Sequence, residues 1–336
     1  MSLSASSPSR RTAHRRGSGV SLLILAGLAW GTGGLLGSLL GRETGLIPLA
    51  VAAYRLGLGG LLVLTAVGGL ALIKACPVDQ RRSGAGRRCP GGITSHGSRP
   101  FLAGPEHRRP ALYRIGLLAV LAATFQACYF AAVSVTTVGL ATLATIGTAP
   151  VVVVAVERLR GRAPRGSLPI VVMALLGLGL LVGLPATGTD PLAALTGAAA
   201  AVVAGFAFAA MTLVGARTVP GLDPMVATGA SFVVGGLLLA VPAAMLGRMA
   251  FPVTFSGVGL LALFAVLPTA LAYTAYFRGL GAATSPGTGA VLALLEPLTA
   301  AVLAAVVLGE RLEPAGMVGA ALLTVAVLLA ARADRR

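Results

Sequence analysis

Charge is scarce in this sequence. Of its 336 residues 11% are Asp, Glu, Lys or Arg, and only ten are acidic. An ordinary soluble domain carries roughly 25%. Aromatic residues make up 5%, with a single tryptophan, and Lys74 is the one lysine. There are three histidines, His14, His96 and His107, and three cysteines, Cys76, Cys89 and Cys128. Each scarcity excludes something. Lys74 is followed by Ala75 and lacks the glycines of a phosphate-binding loop, which argues against ATP hydrolysis in this chain. The histidines all lie outside the long apolar runs, so a histidine-based hydrolase or an intramembrane metalloprotease has no ligands to use. Cys76 and Cys89 share a segment with His96 and His107, but the twelve residues between the cysteines fit no common zinc spacing. We expect no metal, no cofactor, no disulfide framework and no enzymatic activity.

What the chain has instead is apolar surface. Hydrophobic residues reach 56% and the mean hydropathy is +0.91, more than a soluble protein of this length can hide. A bilayer, itself an apolar solvent, requires none of it hidden. The 46 glycines suit closely packed membrane helices. Spanning a core about 30 Å thick takes about 20 residues per helix. Such segments are expected at 20–41, 45–73, 112–133, 138–156, 168–186, 192–216, 224–247, 257–280, 285–308 and 314–331. The fold class is therefore all-α, a polytopic membrane protein of ten transmembrane helices. The net charge of +16 does not point to nucleic acid, because the basic residues sit in short blocks between apolar runs and form no basic face.

Those blocks set the orientation. With the amino terminus in the cytoplasm, 22 Lys and Arg fall on the cytoplasmic side and three on the outer side, Arg42, Arg248 and Arg311. Positively charged loops stay inside, so both termini are expected in the cytoplasm. Arg10, Arg11, Arg15 and Arg16 ahead of an apolar run could start a secretory or twin-arginine signal. The run extends to Leu40, however, and the repeat described next requires it as a retained first helix. Residues 1–19 then form a cytoplasmic tail and 332–336 another. The segment 74–110, rich in Arg, Gly, Pro and Ser, is expected to be a flexible cytoplasmic loop. Its arginines serve as a topogenic signal or touch anionic membrane lipids. With 25 of 26 basic residues arginine, and with abundant Ala and Gly, the composition suggests a GC-rich bacterial gene and a bacterial cytoplasmic (inner) membrane.

The chain also repeats itself. An offset of 147 carries Tyr129-Phe130 onto Tyr276-Phe277 and Pro150 onto Pro297. An offset of 176 carries Trp30 onto Phe206, Pro48 onto Pro224 and Gly59-Gly60-Leu61-Leu62 onto Gly235-Gly236-Leu237-Leu238. Residues 20–186 and 192–331 are thus two five-helix repeats. Five is odd, so the second copy enters the membrane from the opposite side. Inverted repeats characterise secondary transporters, whose sites lie between the halves near the midplane.

Four motifs resemble the EamA family of the drug/metabolite transporter superfamily. They are Ala29-Trp30-Gly31, Tyr54-Arg55-Leu56, Tyr273-Thr-Ala-Tyr276-Phe-Arg-Gly-Leu and Leu295-Glu296-Pro297 followed by Leu308-Gly309-Glu310-Arg311-Leu312. Glu157-Arg158-Leu159 echoes the last motif, but only seven residues after Pro150, whereas Glu310 follows Pro297 by thirteen. The resemblance implies ten helices in inverted repeats, a central cavity, and export (sometimes import) of amino acids or other small metabolites.

Ionisable residues inside apolar helices are costly, about 2.5–3.5 kcal/mol on insertion scales, and are functional candidates by default. Arg55 either lines a substrate path, its planar fork suiting a carboxylate, or is locked to backbone carbonyls. Glu296 either exchanges a proton, coupling export to a proton gradient, or orients its helix at the break Pro297 makes. Pro150 and Pro297 should each kink a helix. Trp30, Tyr54, Tyr129, Tyr273 and Tyr276 either wall a cavity or pack between helices, and Gln126 is a polar candidate within the third segment. The glycine stripe of the first segment, at 27, 31, 33, 34, 37 and 41, serves close packing within the monomer or a dimer face. The expected function is a secondary transporter, working by alternating access on a small-molecule substrate, with a lipid-carrier translocator or a non-transporting scaffold or sensor as rivals.

Overall fold

A computed structural model describes residues 9–75, 105–136, 138–163, 166–183, 191–247, 249–282, 284–307, 309 and 313–335. Most of the arginine-rich segment (76–104, with Cys76, Cys89 and His96), together with Arg248, Glu310, Arg311 and Leu312, lies outside the described residues. So do the side chains of His14, Lys74 and His107.

The chain runs α1(Ser9–Thr44), α2(Pro48–Ala75), α3(Pro105–Val135), α4(Val138–Leu159), α5(Ser167–Val182), α6(Pro191–Gly215), α7(Pro224–Met245) and α8(Phe255–Ala265). After a π-helical turn, Val266–Leu271, come α9(Ala272–Gly281), α10(Pro286–Leu292), α11(Leu295–Val307) and α12(Pro314–Arg335). Taking α8–α9 and α10–α11 as single spanning units gives the ten expected. Among the described residues, nine are long and apolar enough to cross a membrane. The fifth, Ser167–Val182, has 16 residues and ends at Gly183, whose φ of 78° no helix continues through. At 1.5 Å per residue it spans about 24 Å, short of the 168–186 expected. Conversely α1, α3 and α12 run past their apolar stretches, because a helix continues into polar residues until something stops it. Many large apolar side chains, among them Leu176, Leu195, Leu237 and Val241, stand more than 60% exposed on the outside of the bundle. In a polytopic membrane protein the lipid tails cover them.

Starts and stops follow local chemistry. Asp223 accepts the Met225 amide at 2.7 Å and caps α7, and Thr254 accepts the Gly257 amide at 3.0 Å and caps α8. Gly45, at φ 67°, closes α1 by donating its amide to the Gly41 carbonyl at 2.9 Å.

Packing follows an exchange rule between the halves. Unit two, α2, lies on unit seven, α7, and unit five, α5, on unit ten, α12. α3 packs on α6 as α8–α9 pack on α1, and α4 packs on α6 as α11 packs on α1. Replacing each unit by the one five further on maps every main contact onto another. At the α2–α7 crossing a Cβ on Gly60 would sit 2.6 Å from the Gly229 carbonyl, and one on Gly236 would sit 2.5 Å from the Gly57 amide. The paired glycines of the repeat are the places where two backbones touch.

Candidate functional site

A cavity of about 350 Å³ lies between α1, α2, α3, α4, α8 and α11. It reaches the α1–α2 connection at Leu46 and Pro48. From there it descends past Gly41, Gly37 and Gly34 to a floor of Trp30, Arg55, Tyr129 and Glu296. Counting helical rise, the floor is roughly 10–16 Å below that end. The stripe of α1 divides its labour. Gly31 presses on α11, against Thr299 and the Glu296 carbonyl, while Gly34 and Gly41 have open space beside them. The stripe is therefore used within the monomer, partly for packing and partly as cavity wall.

Arg55 is half committed. Its Nε donates to the Thr269 hydroxyl at 3.0 Å, its Nη2 to the Pro268 carbonyl at 3.3 Å, and its Cζ lies 5.1 Å from the Phe264 ring centroid. The partners exist because of the π turn. Pro268 has no amide to give the Phe264 carbonyl, and the Thr269 hydroxyl fills that place at 3.1 Å. The remaining guanidinium donors belong to the cavity that Arg55 lines. Arg55 is thus tied to a backbone carbonyl while it also lines the cavity.

Glu296 sits where the ninth unit breaks. Pro297 cannot donate to the Ala293 carbonyl, so the Glu296 amide closes a tighter bond to it at 3.0 Å, and α10 and α11 part at Ala293–Leu294. The Glu296 carboxylate lies within electrostatic reach of Arg55 but accepts no hydrogen bond from any described residue. It is a carboxylate facing a cavity without a partner. Pro297 lines the cavity beside it. Pro150, its counterpart, is buried inside an uninterrupted α4 and does not reach the cavity.

The other candidates lie below or beside the floor. Tyr273 and Tyr276 are 2% and 1% exposed. Their rings stand 5.0 and 4.9 Å from Trp30, and the Tyr276 hydroxyl is 2.8 Å from that of Thr212. With Phe208, 5.7 Å from Trp30, they form an aromatic plug. Gln126, one turn below Tyr129, is buried with its amide nitrogen unpaired, as is the indole nitrogen of Trp30. Tyr129 meets the Thr142 hydroxyl at 3.1 Å across the cavity wall. Tyr54 points away, donating to the Met249 carbonyl at 2.9 Å against Phe251. The repeat partner of Trp30, Phe206, is half exposed on the outside, and Phe208 does the packing in its place.

Residues the sequence did not single out close the two ends. At the cavity end Glu43 accepts from Ser256 and Thr254, tying α1 to α8. At the other end, where α1 starts and α12 finishes, Arg114 donates to the carbonyls of Gly215 and Arg217 at the C-terminus of α6. Arg114 reads in the sequence as one more loop charge. Its fixed spacing of one turn from the Leu117–Leu118 run was the available signal.

Among the described residues, apolar helical units surround a cavity with a charged, aromatic floor, and the comparisons point to a membrane transporter. Residues 195–332 match the EamA-like transporter family. The matched stretch contains the Leu295-Glu296-Pro297 motif. The chain is also 28% identical over 318 residues to the uncharacterized transporter YwfM of Bacillus subtilis (strain 168), covering 94% of each protein. A protein of known crystal structure shares the fold at a TM-score of 0.69 and 20% identity, over 96% of this chain and 100% of that one.

Proposed function

We propose that this protein is a secondary transporter of the bacterial cytoplasmic membrane, moving a small zwitterionic metabolite such as an amino acid by alternating access and working as an exporter. The observation that carries the reading is the cavity floor: a guanidinium with donors to spare and an unpartnered carboxylate, flanked by the rings of Trp30 and Tyr129. A substrate carboxylate fits Arg55, and its ammonium fits Glu296 and the aromatic faces. The exchange symmetry of the packing supports two inverted five-helix repeats, 20–186 and 192–331, rocking about the site. The asymmetry of basic residues supports both termini in the cytoplasm, which turns the cavity outward. Glu296, free of structural hydrogen bonds, is the group suited to carry a proton in exchange for substrate.

Reconstitution in liposomes tests this, with pooled labelled amino acids and related metabolites and with or without an imposed proton gradient. Flux of one compound, lost in Arg55→Ala and made independent of the gradient in Glu296→Gln, is the expected result. Scrambling of labelled lipid by folded protein that moves no soluble compound would overturn it in favour of a lipid-carrier translocator.

A further inference from the structure

Below the floor the path is shut, and the residues that shut it are specific. A second cavity of about 580 Å³ opens at the end carrying the start of α1 and the finish of α12. Glu157, Arg217, Leu280, Ser285 and Asp334 are among its lining residues. The aromatic plug of Tyr273, Tyr276 and Phe208 lies between it and the substrate cavity. We propose that Glu157 and Asp334 form the latch that keeps the transporter closed on this side by gripping the start of α10, and that opening to this side requires α10 to leave them. The proposal rests on the alternating-access reading above.

The grip comes from two directions. From the end of α4, Glu157 Oε2 accepts the Gly287 amide at 2.8 Å. From the end of α12, Asp334 Oδ1 accepts the Ser285 amide at 3.0 Å and the Thr288 hydroxyl at 3.3 Å. Ser285 meanwhile caps its own helix, accepting the Thr288 amide at 3.0 Å. The α10 start is thus pinned by a carboxylate from each half of the molecule. Gly287 is needed for the fit, since a Cβ there would lie 2.5 Å from Glu157 Oε2. Charge-assisted bonds of this kind are the stronger ones in proteins.

Two features mark a releasable contact rather than a static brace. First, α10 is a seven-residue piece separated from α11 by the break at Ala293–Leu294, so it can swing without dragging α11. Glu296 lies just beyond that hinge, at the start of α11 and on the cavity floor. Second, Asp334 Oδ2 is buried with no hydrogen-bond partner. Native structures rarely leave a buried carboxylate oxygen unsatisfied, because it forfeits its hydration. The closed latch carries that cost, and opening returns the oxygen to water.

The test uses the full chain in liposomes, with Cys76, Cys89 and Cys128 replaced by serine and one reporter at a time. Leu280→Cys reports the latched side, where Leu280 is 2% exposed, and Ser38→Cys reports the substrate cavity. Maleimide labelling rates are then measured. Glu157→Leu, Asp334→Leu and Gly287→Ala should each raise labelling at the Leu280→Cys reporter about tenfold, the bias expected from one lost charge-assisted hydrogen bond. Labelling at Ser38→Cys should fall in step. Glu157→Gln keeps an acceptor oxygen and should restore part of the closed population, which a merely structural role would not produce. Thr288→Val, which removes the hydroxyl's bonds to Asp334 and Ser285 but leaves both carboxylates in place, serves if the stronger variants do not fold. Unchanged labelling at both reporters in folded variants overturns the latch. Labelling needs no known substrate, so a shift without flux would sink only the transport reading, and normal flux with unshifted labelling only the latch.

Discussion

The third and fourth units of the first half are continuous helices, whereas their counterparts in the second half are both interrupted. α3 and α4 run unbroken, although α4 contains Pro150. The eighth unit carries a π turn at Pro268, and the ninth is broken just before Pro297. A proline by itself, then, does not break a membrane helix. At Pro268 and Pro297 the carbonyl left without an amide finds a substitute, the Thr269 hydroxyl in one case and a tighter backbone bond from Glu296 in the other. What this teaches is where the chemistry concentrates. The first half supplies the guanidinium, on an unbroken α2, and the second half supplies the distorted backbone that receives it and the unpartnered carboxylate.

Three experiments break or sharpen that contrast. The largest effect is expected at Arg55, the one side chain that joins the regular half to the distorted one. Arg55→Ala should lower flux about hundredfold, as truncation of one member of a desolvated polar pair does. It should also lower stability in detergent by about 1–3 kcal/mol, because the Pro268 carbonyl and Thr269 lose their donor. Arg55→Lys should fall between, since an ammonium lacks the fork that spans both. A thermal melt of Arg55→Ala that overlays the parent would show the π turn to be independent of the first half.

A smaller, matched effect is expected where each half seats a glycine against a threonine-bearing helix. A Cβ on Gly31 meets Thr299 and the Glu296 carbonyl, and one on Gly205 meets Thr148 and the Thr145 carbonyl at 2.6 Å. Gly31→Ala and Gly205→Ala should each cost about 1–3 kcal/mol by overpacking. Gly34→Ala, beside open space, should cost almost nothing. Unequal losses in melting temperature between the first two would break the symmetry of the packing.

The smallest effect separates the two prolines. Pro150→Ala should leave flux and melting temperature within about 1 kcal/mol of the parent, since α4 is already continuous. Pro297→Ala restores the missing amide and should heal the break, raising the melting temperature slightly while slowing flux about tenfold. Equal flux in the two variants would mean that the break has no part in transport.

The sequence picked out several of the residues that line the candidate cavity. Trp30, Arg55, Tyr129, Glu296 and Pro297 all line the cavity, and they were legible because a charge, a ring or a proline inside an apolar run is conspicuous. Tyr54, Tyr273 and Tyr276 were conspicuous for the same reason, yet one is tied to Met249 and the others form the plug beneath the floor. Residue type announces that a side chain is unusual but not which way it faces. Thr269 and Pro268 drew no notice, because a threonine and a proline in a membrane helix are ordinary until an arginine 214 positions away is found against them. Glu157 was visible only as an echo of a motif, and Asp334 only as a charge within the C-terminal tail.

By itself, then, the sequence determined the solvent this protein lives in and the places of its apolar helical units. These follow from local composition, because the bilayer acts on every run of about twenty residues in the same way. Only the tertiary structure decided which prolines break a helix, which carboxylate stays free and which are spent holding α10. Those outcomes depend on pairs of groups brought together from distant parts of the chain, where the replacement of one missing hydrogen bond by another is settled by packing.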